Sequence, residues 1–130
     1  MENVLRYISI TLNKAWDIRA HLLPVTILHT ILTLSALFLL WNWPLLLTAV
    51  FMLLAMIELL AIGKKSVFFI GIFCSVGFGL SELLCIQLGA WSYAVTSFLD
   101  MPLWVFPGYG NITISAIALY ELSSRYGLEK

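Results

Sequence analysis

The sequence predicts an all-α polytopic membrane protein, a four-transmembrane-helix bundle with an N-terminal amphipathic interfacial helix. Of its 130 residues, 62% are hydrophobic and 11% are charged. A soluble domain of this size could not bury so many large apolar side chains. Four apolar segments each approach the ~20 residues that a bilayer requires. The net charge of zero gives no support for nucleic-acid binding, which needs a basic surface.

The chain divides into an interfacial segment and a transmembrane domain. In residues 1–20, Leu5, Ile8 and Leu12 repeat at helical spacing between polar residues, which indicates an amphipathic helix on the membrane surface. A solvated leader helix is the alternative. Residues 21–130 form the transmembrane domain, and its predicted spans are 21–41, 44–62, 66–88 and 102–123.

The basic residues predict the orientation. All seven fall on one side of the predicted spans: Arg6, Lys14, Arg19, Lys64, Lys65, Arg125 and Lys130. Aromatic residues typical of an interfacial belt lie on the other side: Trp41, Trp43, Trp91, Tyr93 and Trp104. The positive-inside rule therefore predicts a multi-pass protein of the cytoplasmic (inner) membrane with both termini cytoplasmic. The apolar connector 89–101 is expected to cap the outer end of the bundle.

Two ionisable residues lie deep in the first two spans. An ionisable group in a bilayer costs roughly 2.5–3.5 kcal/mol, so His29 and Glu58 need partners. Both lie about 20 Å from the outer ends of their helices. One interpretation is a hydrogen-bonded pair that could form a proton relay. In the other, Glu58 extends to Lys64 and His29 binds a backbone carbonyl.

A second group of polar residues is predicted near the outer ends of the last two spans. Counting helical rise places Glu82, Tyr109 and Asn111 at about one level, within about 10 to 14 Å of those ends. We predict an outward-facing pocket there, with Glu82 as a catalytic acid or anchoring group. Its roof would be Trp91, Tyr93 and Trp104. The alternative is structural, with Glu82 accepting backbone N–H groups freed by a kink at Pro107.

A face of small residues lies on the third span. Gly71, Ser75 and Gly79 recur every four residues, a pattern that lets another helix approach closely. A homodimer through this face is one prediction. No metal site and no cofactor are predicted, because the sequence has no cluster of metal ligands and no complete nucleotide-binding loop.

The stretch from Glu82 to Gly89, followed by Trp91, Tyr93 and the segment 102–107, resembles a pattern in carotenoid-biosynthesis membrane proteins of the bacterial hydratase type. In that family a Glu stands seven residues before a Gly, and a Pro-Leu-containing apolar span follows. The present chain is shorter and has fewer helices. The resemblance implies a lipophilic ligand near Glu82, Tyr93 and Pro102, with the carboxyl group as proton donor to an alkene.

Three functions are compatible with these patterns. The first is an intramembrane polar pocket for a lipophilic or amphipathic small molecule, of which an isoprenoid is one type. The second is a homodimeric transporter or channel protomer. The third is an accessory or assembly subunit of a larger membrane complex. Whether the protein is an enzyme does not follow from the sequence.

Overall fold

The computed structural model describes residues 22–125 and is all-helical, as the sequence predicts. Its four helices are α1 (Leu22–Leu40), α2 (Pro44–Ile62), α3 (Lys65–Gln87) and α4 (Val105–Arg125). The predicted interfacial helix at 1–20 lies outside the described residues. The first three helices agree with the predicted spans to within a residue. The fourth begins at Val105 instead of 102.

Two short turns join the first three helices. Between α1 and α2, the Trp43 N–H donates to the Leu40 carbonyl at 2.8 Å. Pro44 then opens α2, where its fixed φ suits a first helical position and its missing N–H leaves no gap. Gly63 ends α2 with a φ of +67° and donates its N–H to the Leu59 carbonyl, a left-handed cap that favours glycine. These turns make α1, α2 and α3 alternate in direction.

The surface of the bundle is apolar around much of its circumference. Within the described chain, α1, α2 and α3 are long and apolar enough to cross a membrane, whereas α4 falls below that level of apolarity. Phe38, Leu39 and Phe73 are 77–79% exposed. Side chains of this size and exposure are typical of helices that face lipid.

The central helix of the bundle is α4, which packs on α1, α2 and α3. Contact between α2 and α3 is slight, and within the described residues α1 and α3 do not touch. Two seams remain open along the bundle as grooves, one between α1 and α4 and one between α2 and α3.

The small-residue face of α3 is filled by α4 of the same chain. Gly71 and Gly79 are buried, and a Cβ added at Gly79 would collide with the Phe106 ring. The Ser75 hydroxyl donates to the Phe106 carbonyl at 2.5 Å. The close approach predicted for this face thus occurs with α4 of the same chain, and Gly71 and Ser75 also line the open seam between α2 and α3.

The connector between α3 and α4 folds over the end of the bundle opposite the α2–α3 turn. Leu99 and Asp100 both have positive φ, at 47° and 63°, and form a tight turn closed by two backbone hydrogen bonds between Phe98 and Met101. Met101 is fully buried beside Ile86. This turn lies in the predicted connector 89–101. Residues 102–104, which the sequence assigned to the fourth span, form a further turn in which the Val105 N–H donates to the Pro102 carbonyl at 3.2 Å, so α4 begins later than predicted.

Candidate functional site

Four polar side chains from three helices meet in the interior of the bundle. We call them the inner cluster: His29 of α1, Glu58 of α2, and Asn111 and Ser115 of α4. His29 Nδ1 lies 2.9 Å from Glu58 Oε2, so the structure has the paired arrangement and not the alternative in which Glu58 reaches Lys64. Lys64 instead pairs with Glu121. Glu58, Asn111 and His29 are 0%, 1% and 3% exposed.

Asn111 fixes the orientation of the His29 ring. Its Nδ2 group donates to the Phe51 carbonyl at 3.0 Å and to the Pro107 carbonyl at 2.9 Å. Because both carbonyls are acceptors, the amide oxygen must point the other way, toward His29 Nε2 at 2.8 Å. Nε2 therefore carries a hydrogen and donates it to Asn111. This assigns the tautomer through the surrounding hydrogen bonds.

The opposite ring nitrogen is the chemically adaptable one. His29 Nδ1 faces both Glu58 Oε2 and the Ser115 hydroxyl, which lies 3.0 Å away and also donates to Glu58 Oε2 at 2.9 Å. A proton between Nδ1 and Oε2 can reside on either atom and leaves the pair without net charge. Ser115 shares its histidine nitrogen with the carboxyl group. This differs from a nucleophilic triad, in which serine and acid bind opposite ring nitrogens.

One carboxyl oxygen of the inner cluster has no partner among the described residues. Glu58 Oε1 is buried and unbonded, although Oε2 has two polar neighbours. A small molecule that donates a hydrogen bond to Oε1 would remove this deficit. An unsatisfied buried oxygen is costly, and such groups are concentrated where proteins bind or react.

A second polar group, the outer cluster, joins α3, the connector and α4 around Glu82. Glu82 Oε1 accepts from the Tyr93 hydroxyl at 2.6 Å and from Trp91 Nε1 at 3.0 Å, and Oε2 accepts from the Tyr109 hydroxyl at 2.6 Å. Burial, and then the hydrogen bond to Glu82, raise the pKa of Tyr93 above its ordinary value. Tyr93 is therefore a protonated donor at any physiological pH.

The structure differs from the predicted outer pocket in one respect and from its structural alternative in another. Glu82, Tyr109, Trp91 and Tyr93 do come together, but Asn111 belongs to the inner cluster. Glu82 binds three side-chain donors and not the backbone N–H groups freed near Pro107. Pro107 lies in the first turn of α4, where its missing N–H does not break the helix.

The seam between α1 and α4 forms an open groove that passes both clusters. Its inner part has a volume of about 330 Å³, with His29, Asn111 and Ser115 on its lining. Its outer part has a volume of about 270 Å³ and is lined by Tyr93, Trp104 and Tyr109 among others. Thr33, Leu34 and Ile112 line both parts, which makes the groove continuous.

Sequence reasoning missed Ser115 and Thr33 as site residues. Ser115 follows Asn111 by four positions and so lies on the same face of α4, a spacing that could have identified it. Thr33 belongs to a polar stripe on α1 with Thr26 and His29. Serine and threonine are common in membrane helices, so the spacing indicates a shared helix face, and the packing shows which partners that face meets.

No protein-family model, no curated protein and no solved structure matches this chain. In the part of the chain that the structure describes, no three His, Cys, Asp or Glu side chains are grouped as a metal site would require. The functional argument therefore rests on the groove and the two clusters.

Proposed function

We propose that the protein is a four-span membrane protein that binds an amphipathic small molecule in the groove between α1 and α4. The groove supports this most directly, because it opens sideways from the bundle and ends on polar side chains. Its two parts are close to the ~300–1,000 Å³ typical of small-molecule sites. The isoprenoid-type ligand implied by the sequence resemblance is one member of this class.

A spanning α4 is part of the proposal. Its 21 residues extend about 30 Å, which matches the hydrocarbon thickness of a bilayer. Its lower apolarity comes in part from Tyr109, Asn111 and Ser115, whose polar atoms are bonded inside the bundle. The outward side chains Ile112 and Leu119 are apolar and more than half exposed. Polar residues on an inward face are the usual arrangement in membrane helices.

The proposed orientation places the inner cluster toward the cytoplasm. Lys64 and Lys65 lie at the α2–α3 turn, whereas exposed Trp41, Trp43 and Trp91 lie at the other end. This distribution favours a cytoplasmic α2–α3 turn. A molecule in the groove would then enter from the lipid between α1 and α4 and not from either aqueous side.

The test is native mass spectrometry of the protein released from gently solubilised membranes. We expect the wild type to retain a small molecule of defined mass. Ile112→Trp, which fills the groove where its two parts meet, should lose it. The matched control is Ile57→Trp, at a lipid-facing position of α2 outside the groove, which should retain it. A wild type that carries nothing, or retention in Ile112→Trp, would contradict the proposal.

A further inference from the structure

Two residues that line the outer groove each have a polar atom without a hydrogen-bond partner within the described chain. The atoms are Thr33 Oγ1 and Trp104 Nε1, and both are buried. An unbonded buried polar group costs free energy comparable to a lost hydrogen bond. Indole N–H can only donate, and a hydroxyl can also donate. A ligand oxygen that accepts hydrogen bonds would satisfy one or both.

The groove offers no counter-charge for an ionic ligand. Its lining contains no Lys, Arg, Asp or Glu, and both ring nitrogens of its one histidine, His29, already have partners. Neither Glu58 nor Glu82 lines the groove: Glu58 is fully buried behind His29 and Ser115, and Glu82 binds three aromatic donors. A charged head group in the groove would lose its hydration, and no charged group on the lining would offset that cost.

The apolar walls fit a hydrocarbon tail. Leu34, Leu37, Phe51 and Ile112 form much of the outer part, and Ala116 and Leu119 continue the wall along the inner part. Trp104 is fixed by edge-to-face contacts with Phe51 and Tyr93, each with ring centroids 6.1 Å apart. Its donor position is therefore set by packing before any ligand binds, which lowers the cost of binding.

We infer that the ligand is an uncharged, lipid-like molecule whose oxygen, as an alcohol or a carbonyl, accepts hydrogen bonds from Thr33 and Trp104. This inference rests on the proposed function and specifies the chemistry of its ligand. It excludes phosphorylated, carboxylated and ammonium lipids as occupants of the groove. The His29–Glu58 pair of the inner cluster has no net charge, so it needs no balancing charge from the ligand.

The experiment compares three probes that share a twelve-carbon tail: dodecan-1-ol, dodecyl phosphate and dodecyltrimethylammonium. Each is added at equal concentration to the full-length protein in zwitterionic nanodiscs, and bound copies are counted by native mass spectrometry. Dodecan-1-ol should bind best. Thr33→Val removes the hydroxyl at nearly constant volume and should weaken dodecan-1-ol binding about fivefold.

A matched control separates this effect from a general change in packing. Thr113→Val removes a hydroxyl that donates within α4 to the Tyr109 carbonyl and does not line the groove, so dodecan-1-ol binding should not change. Trp104→Phe, which keeps an aromatic ring and deletes the N–H, supplies a second variant and should also weaken binding.

The possible outcomes distinguish the inference from the proposed function. If dodecyl phosphate or the ammonium probe binds as well as the alcohol and is displaced by Ile112→Trp, the groove binds ligand but the inference of a neutral head group is wrong. Alcohol binding that is indifferent to both Thr33→Val and Trp104→Phe would also overturn it. If no probe binds and the wild type carries no molecule from its own membrane, the proposed function itself fails.

Discussion

The inner and outer clusters each hold a glutamate inside an apolar bundle, but they do so in different ways. In the outer cluster, Glu82 accepts three hydrogen bonds from neutral aromatic donors, and both of its oxygens are bonded. In the inner cluster, Glu58 has one oxygen shared by a histidine and a serine and one oxygen without a partner among the described residues. Glu58 is fully buried, whereas Glu82 is only partly so.

The difference indicates different roles. Both oxygens of Glu82 accept hydrogen bonds from fixed donors. These bonds hold the connector against α3 and α4 and stabilise one protonation state of Glu82. Glu58 faces a titratable partner across 2.9 Å and retains an unbonded oxygen. An incompletely satisfied buried group is one feature found at binding and proton-transfer sites. Glu82 therefore fastens the connector, whereas the inner cluster keeps one oxygen, Glu58 Oε1, without a partner among the described residues.

The largest effect is expected from breaking the His29–Glu58 pair. His29→Leu leaves Glu58 buried without its basic partner and should reduce the free energy of unfolding by about 3 kcal/mol. Equilibrium unfolding in lipid bilayers would measure the change.

The double variant His29→Leu with Glu58→Leu tests the reason for that loss. It replaces both polar groups with apolar ones, so it should recover much of the stability lost in the single variant. A double variant whose loss of stability equals the sum of the losses in His29→Leu and Glu58→Leu would show that the pair is not coupled as the 2.9 Å contact indicates.

An intermediate effect is expected where α3 approaches α4 beside the outer cluster. Gly79→Leu forces a side chain into the Phe106 ring and should cost about 2 kcal/mol through overpacking. Gly77→Leu is the matched control, since a Cβ there meets nothing within 4 Å. Unfolding measurements should separate the two variants. If Gly79→Leu changed only the oligomeric state and left the monomer equally stable, a homodimer through this face would regain support.

Much of the fold could be predicted from the sequence because membrane helices satisfy their own backbone. Length and apolarity alone therefore locate them, and the bounds of α1, α2 and α3 agree with the prediction within a residue. The beginning of α4 could not be predicted in this way. Residues 102–104 continue the turns of the connector instead of starting the helix. They follow a turn with positive φ at Leu99 and Asp100, which are not glycine, and no local sequence pattern predicts it.

The level of each site residue along its helix could be predicted, but the direction in which its side chain points around the helix axis could not. Helical rise places His29 level with Glu58, and Glu82 level with Tyr109, and the structure brings each pair together. Asn111 lies only two residues after Tyr109, yet a helix turns about 200° over two residues, so the two side chains point to different clusters. Rotation about the helix axis is set by packing against neighbours, which a single sequence does not reveal.

The smallest change in stability is expected from Glu82→Gln. This variant distinguishes a structural role for Glu82 from a role as a catalytic acid or anchoring group. Glutamine keeps one acceptor oxygen and loses the charge, so the variant should lose about 1 kcal/mol of stability from weakened hydrogen bonds. Amide hydrogen exchange in the connector 88–104 should become faster, while the small molecule bound in the groove is retained. If the molecule or an activity were lost while connector exchange stayed unchanged, Glu82 would be the acid or anchoring group that the sequence suggested. The group that acts on the small molecule would then lie in the outer cluster and not in the inner cluster.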